Sequence, residues 1–179
     1  MSSSDLIRYG GLATMAAGVA FILAGLLSLA NLVSSFLISL LILGEFLVLF
    51  GLVGFHALQQ ASYRTIGRAG FYTTIVAILL VVLGLIIFPL SLTFGAGLQT
   101  VGNVVQVIGL ALYGVATLQV RVLPRWCGVA FIIVSPLAWI LGIILGISVR
   151  ELVFGLFWLA LGYVLWSQRE ASAEQPRVS

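Results

Sequence analysis

The sequence predicts an all-α integral membrane protein: a bundle of six membrane-spanning helices, read as three parallel-related helical hairpins. Three observations predict it. First, 62% of the 179 residues are hydrophobic and 7% are charged, with a mean hydropathy of +1.26. A soluble domain is about half apolar and about a quarter charged. Eight basic and five acidic side chains cannot cover a water-facing surface of this size, and disordered chains are poor in apolar residues. Second, the apolar residues fall into six runs, most near the ~20 residues that cross a hydrocarbon core as a helix. Third, glycines recur along these runs at fixed spacings.

The expected spans are 10–30, 36–57, 70–90, 97–117, 127–147 and 152–167, within a transmembrane domain of residues 1–168 and before a polar tail, 169–179. Span 1 follows Arg8 and carries Gly11, Gly18 and Gly25 among Ala13, Ala17, Ala20 and Ala24. Ser28-Leu29-Ala30 has the small residues of a signal-peptidase site. The apolar stretch before it exceeds a signal h-region and Arg8 is its only leading positive charge, so the span is expected to be retained. Span 2 holds Glu45 and, near its end, His56. Span 3 carries Gly70 and Gly84 and closes at Pro89. Span 4 places Gln99, Asn103 and Gln106 at i, i+4 and i+7, on one helical face. Span 5 contains Pro136, which removes a backbone donor, and Ser135, which can satisfy the freed carbonyl. Span 6 is short, held between Arg150-Glu151 and Arg169-Glu170. Trp139 and Trp158 lie within spans, where packing or lipid contact is expected.

Short connections predict antiparallel neighbours. Seven of the eight arginines, namely Arg8, Arg64, Arg68, Arg121, Arg125, Arg169 and Arg177, then fall on one side, with only Arg150 opposite. That asymmetry predicts both termini in the cytoplasm and an inner or plasma membrane location. The five tyrosines with Trp126 and Trp166 fall on or near the arginine-rich side, as an aromatic belt does.

Residues 41–90 overlay 99–148 at an offset of 58, pairing Gly44 with Gly102, Gly51 with Gly109, Gly70 with Gly128 and Gly84 with Gly142. Spans 1, 3 and 5 carry glycines 14 apart, and spans 2, 4 and 6 carry glycines 7 apart, followed four residues on by Phe55, Tyr113 and Trp166. The spacing predicts three related hairpins about an axis along the membrane normal. It also predicts close helix contact, because small residues let backbones approach where lipid supplies no hydrophobic drive. The same Gly/Ala-rich faces are candidates for association with a second copy or a membrane partner.

Glu45 is the one ionisable residue well inside a span. An ionised carboxylate at the centre costs about 2.5–3.5 kcal/mol on insertion scales, so a neutral, hydrogen-bonding acid is expected. The overlay aligns Glu45 with Asn103. Glu45, Gln99, Asn103 and Gln106 are therefore the candidate intramembrane polar site, either a place to bind a solute or relay protons, or interhelical glue worth about 0.6 kcal/mol per hydrogen bond. His56, near the end of span 2, is a candidate pH-sensitive residue and otherwise an interfacial one.

Other chemistries lack their residues. His56 is the only histidine and Cys127 the only cysteine, so a triad, an ordinary zinc site, a bis-histidine haem and an internal disulfide are not expected. There is no P-loop and no dinucleotide-binding glycine pattern. Arginines scattered between apolar runs point to lipid headgroups and not to nucleic acid. No catalytic, metal or cofactor-binding residue is assigned, and no enzymatic activity is expected.

The loop Leu123-Pro124-Arg125-Trp126, leading into span 5, resembles a linker of small uncharacterised bacterial polytopic membrane proteins. The resemblance covers this loop and the general helix pattern, and it implies no activity. Two functions are expected: a structural or accessory membrane protein, and alternatively a small transporter or channel-like permease centred on Glu45. A polar path reaching Glu45 favours the second, and a dry interior the first.

Overall fold

A computed structural model describes residues 3–32, 35–62 and 65–173. Six helices follow in order: α1 (Ser3–Leu29), α2 (Ser35–Gln59), α3 (Thr65–Ile87), α4 (Leu92–Val120), α5 (Arg125–Leu145) and α6 (Ile147–Ala173). All six contain a segment long and apolar enough to cross a membrane, and no strand occurs among the described residues. The chain is a multi-pass membrane protein, and its outward side chains, such as Phe50, Leu79, Ile140 and Leu156, are large and apolar. In lipid this is the stable solution, because each helix closes its own backbone hydrogen bonds.

Each helix packs on its sequence neighbours, and α1 closes the circle on α6. Neighbours run antiparallel. Gly70 of α3 lies on Gly109 and Tyr113 of α4, while Gly84 at the other end lies on Gly95 and Gln99. In the same way Gly18 meets Gly155, and Gly11 meets Trp166, across α1 and α6. A Cβ on Gly70 would sit 2.5 Å from the Tyr113 nitrogen, and one on Gly18 would sit 2.6 Å from the Gly155 carbonyl oxygen. Backbones this close exclude any side chain, so these glycines are a packing requirement. Thr14, Thr74 and Thr117 occupy the same interior and donate their hydroxyls to carbonyls one turn back, at 2.7–3.0 Å, which leaves no hydroxyl donor unpaired there.

The α5–α6 contact is built differently. α5 ends at Leu145, and Gly146 alone makes the turn with φ +101° and ψ 161°, a conformation essentially restricted to glycine. The Gly146 N–H donates to the Gly142 carbonyl at 3.1 Å. The turn lets α6 begin at Ile147, five residues before the expected start at 152, so Arg150 and Glu151 lie inside the helix near its start. α4 likewise begins at Leu92, five residues before 97, after the extended Ser91. Both helices are longer than the apolar count predicts, and at the start of α6 Ser148 and Glu151 are buried against protein. Gly142 then faces the Arg150 side chain, its would-be Cβ 3.0 Å from the Arg150 Cβ, where the equivalent glycines of α1 and α3 face backbone or the stem of a neighbouring side chain. α5 runs without a break through Pro136.

Among the described residues, Arg8, Arg68, Arg121 and Arg125 lie at one end of the bundle, with Arg150 at the other. Arg64, the Arg169 side chain and Arg177 lie outside the described residues.

Candidate intramembrane polar site

The interior has two layers along the bundle axis. The layer nearer the arginine-rich end is aromatic. Phe131 of α5 makes edge-on contacts with Phe55, Tyr113, Phe157 and Trp158, at centroid distances of 5.4–6.1 Å. Phe131, Phe55, Tyr113 and Trp158 have essentially no accessible surface. These rings come from α2, α4, α5 and α6, so they fill the middle of the circle.

The second layer lies toward the Arg150 end and is polar. A cavity of about 30 Å³ is lined by Glu45 of α2, Gln99, Asn103 and Gln106 of α4, Ser135 of α5, and Arg150 and Glu151 of α6, with apolar walls that include Phe21 and Phe154. That space takes about two water molecules. All four residues of the candidate polar site therefore meet on one cavity. Asn103 and Gln99 are half-buried, and Gln106, one turn deeper, is 3% exposed. Gly44 lets the Phe21 ring lie against α2 beside Glu45, its would-be Cβ 3.0 Å from the ring edge.

The polar atoms of the cavity are incompletely paired. Glu45 is 5% exposed, and neither its Oε2 nor the Gln106 Nε2 closes a hydrogen bond. The indole nitrogen of Trp139, on the same lining, is also buried without a protein partner. Such a concentration of open donors and acceptors around a space that takes water marks a hydrated polar site.

Glu151 is the residue that sequence reasoning missed, and Arg150 comes to the site with it. They read as a pair flanking the membrane. Instead Glu151 is 4% exposed and faces the same cavity as Glu45. Arg150 Nε donates to Glu151 Oε1 at 3.0 Å, and Nη2 donates to the same oxygen. The cavity thus holds two carboxyls and one guanidinium, not one isolated acid. The available signal was Gly146, a turn-forming residue that permits α6 to start ahead of the charged pair.

A second cleft of about 300 Å³ lies at the Arg150 end and shares Gln99, Asn103, Trp139 and Arg150 with the inner cavity. Ala96, Thr100, Gly142, Ile143 and Ile147 complete its lining. The inner cavity and the cleft thus adjoin across these four side chains, and the aromatic layer lies on the cavity's other side.

His56 is not part of this site. It lies half-buried at the opposite end, stacked on Phe71 with ring centroids 4.1 Å apart. Nearby, Gln59 Nε2 donates to the Tyr113 hydroxyl at 3.3 Å. Among the described residues no three His, Cys, Asp or Glu side chains are grouped to hold a metal ion. Comparisons with protein families, with curated proteins and with solved structures gave no match.

Proposed function

We propose that this chain is a small channel-like permease, without enzymatic activity, whose transport step is centred on Glu45. The carrying observation is that the Glu45 cavity adjoins the wider cleft, the two sharing Gln99, Asn103, Trp139 and Arg150 as lining. Access from one end with an aromatic closure at the other suits a protein that opens its site to one side of a membrane at a time. The arginine asymmetry supports a bacterial inner-membrane location with both termini cytoplasmic, so that the cleft opens outward. The glycine spacing is what supports descent from three related hairpins, although the glycines of α1 meet α6 and those of α3 meet α4.

The accessory reading relied on glycine-rich faces free to bind a partner. Gly11, Gly18 and Gly25 of α1 are instead occupied by Trp166, Gly155, Ser148 and Leu152 of α6. Association through that face requires opening the bundle, which favours the permease.

Proteoliposome flux tests the proposal. Wild-type protein is expected to carry protons or a small monovalent cation down an imposed gradient, and Glu45→Gln to reduce the rate to that of protein-free vesicles. Equal rates for both proteins contradict it.

A further inference from the structure

We propose that the inner cavity holds one proton for its two carboxyls, and that Arg150 pairs with whichever carboxyl lacks it. The inference rests on the permease reading and names the ion.

Size comes first. Room for about two waters excludes an organic solute from the inner cavity. The ionisable side chains on its lining are Glu45, Arg150 and Glu151. One guanidinium can neutralise one carboxylate, and here both observed donors, Nε and Nη2, go to Glu151. Glu45 faces no other cation on that lining, and its Oε2 is unpartnered. A buried carboxylate left unpaired neutralises. The remaining charge is therefore met by a proton on Glu45. The neighbouring Gln106 Nε2 is a donor aimed into the same space, which suits a water that accepts from the amide and donates to the acid, and does not suit a metal cation beside it.

Arg150 is placed to change partners. Its side chain is 26% exposed, borders both the inner cavity and the outer cleft, and rests on Gly142, where any larger residue would crowd its stem. In one state Glu45 is protonated and Glu151 carboxylate is bound to Arg150. In the other, Glu151 is protonated and Glu45 carboxylate is bound to Arg150. The O–H bond breaks at one carboxyl and forms at the other through intervening water, and the net charge of the cavity stays at zero in both. Glu151, five residues into α6 and next to Arg150, is the seat nearer the cleft, and Glu45, eleven residues into α2, is the deeper one.

Infrared spectroscopy of the purified full chain tests this without any transport step. The C=O stretch of a protonated carboxylic acid reports the proton. At neutral pH the wild type is expected to show a single buried acid, unchanged whether sodium or choline is the only monovalent cation. Glu45→Gln should lose the band, since Glu151 keeps Arg150. Glu151→Gln should also lose it, because the freed guanidinium moves to Glu45. Arg150→Gln should raise the band about twofold, since neither carboxyl then has a cation. A band that survives in Glu151→Gln, a wild type with no band, or a band removed by sodium overturns the inference. If Arg150→Gln does not fold, the two glutamate variants decide the matter alone. The expected bands without proteoliposome flux would leave the shared proton standing and remove the permease reading. Flux with the wrong bands would do the reverse.

Discussion

Glu45 and Gly146 decide the site at the level of single residues, one by its chemistry and one by its backbone. Gly146 adopts φ +101°, so Gly146→Ala is expected to destabilise the bundle by about 1–3 kcal/mol. It should also turn the first residues of α6 out of register, displacing Arg150 and Glu151. A thermal or detergent unfolding series on the purified protein measures the first effect. Reduced flux at a temperature where the variant is still folded measures the second. The polar side chains themselves were legible in the sequence. Glu45 stands alone in an apolar run, and Gln99, Asn103 and Gln106 share a helical face whatever the tertiary structure. Glu151 was not legible. Its place depends on where α6 begins, and hydropathy alone puts a charged pair at the membrane edge.

Glycine spacing has its consequence in how helix pairs meet. Gly109 lies under Thr74, with its would-be Cβ 2.5 Å from the threonine hydroxyl and 2.7 Å from the backbone nitrogen, whereas nothing lies within 4 Å of the same position on Gly97. Gly109→Ala is therefore expected to cost about 1–3 kcal/mol by overpacking the α3–α4 contact. Gly97→Ala, on the same helix, should be neutral or slightly stabilising, since alanine is the better helix former. Detergent unfolding of the two variants side by side checks both. The spacing predicted close contact correctly for α1, α3 and their partners. It did not predict which helix each would meet. The tightest contact of α1 is with α6, across the ends of the chain, because ring closure is a property of all six helices together. Nor did it predict the different use of Gly142, which accommodates an arginine side chain instead of a backbone.

Across the whole molecule, the polar cavity and the aromatic layer divide the interior into an accessible half and a closed half. Phe131 is the ring that the others surround. Phe131→Leu keeps an apolar side chain of similar reach but removes the edge-on contacts, each worth about 0.5–1.5 kcal/mol beyond burial. It should lower stability and raise flux together, because the barrier between the cavity and the arginine-rich end is thinned. A variant that is less stable but no leakier would assign the layer to packing alone. The six spans were legible from hydropathy, since lipid demands long apolar helices. The layering was not, because it combines rings from four helices that are distant in sequence.

The most direct test of the account is a proton-flux measurement in liposomes, with a pH-sensitive dye trapped inside and matched amounts of folded wild-type and Glu45→Gln protein. Wild-type protein is expected to dissipate an imposed pH gradient, and the variant to give a rate indistinguishable from empty vesicles. Wild-type vesicles as tight as empty ones, or a Glu45→Gln rate equal to wild type, would contradict it.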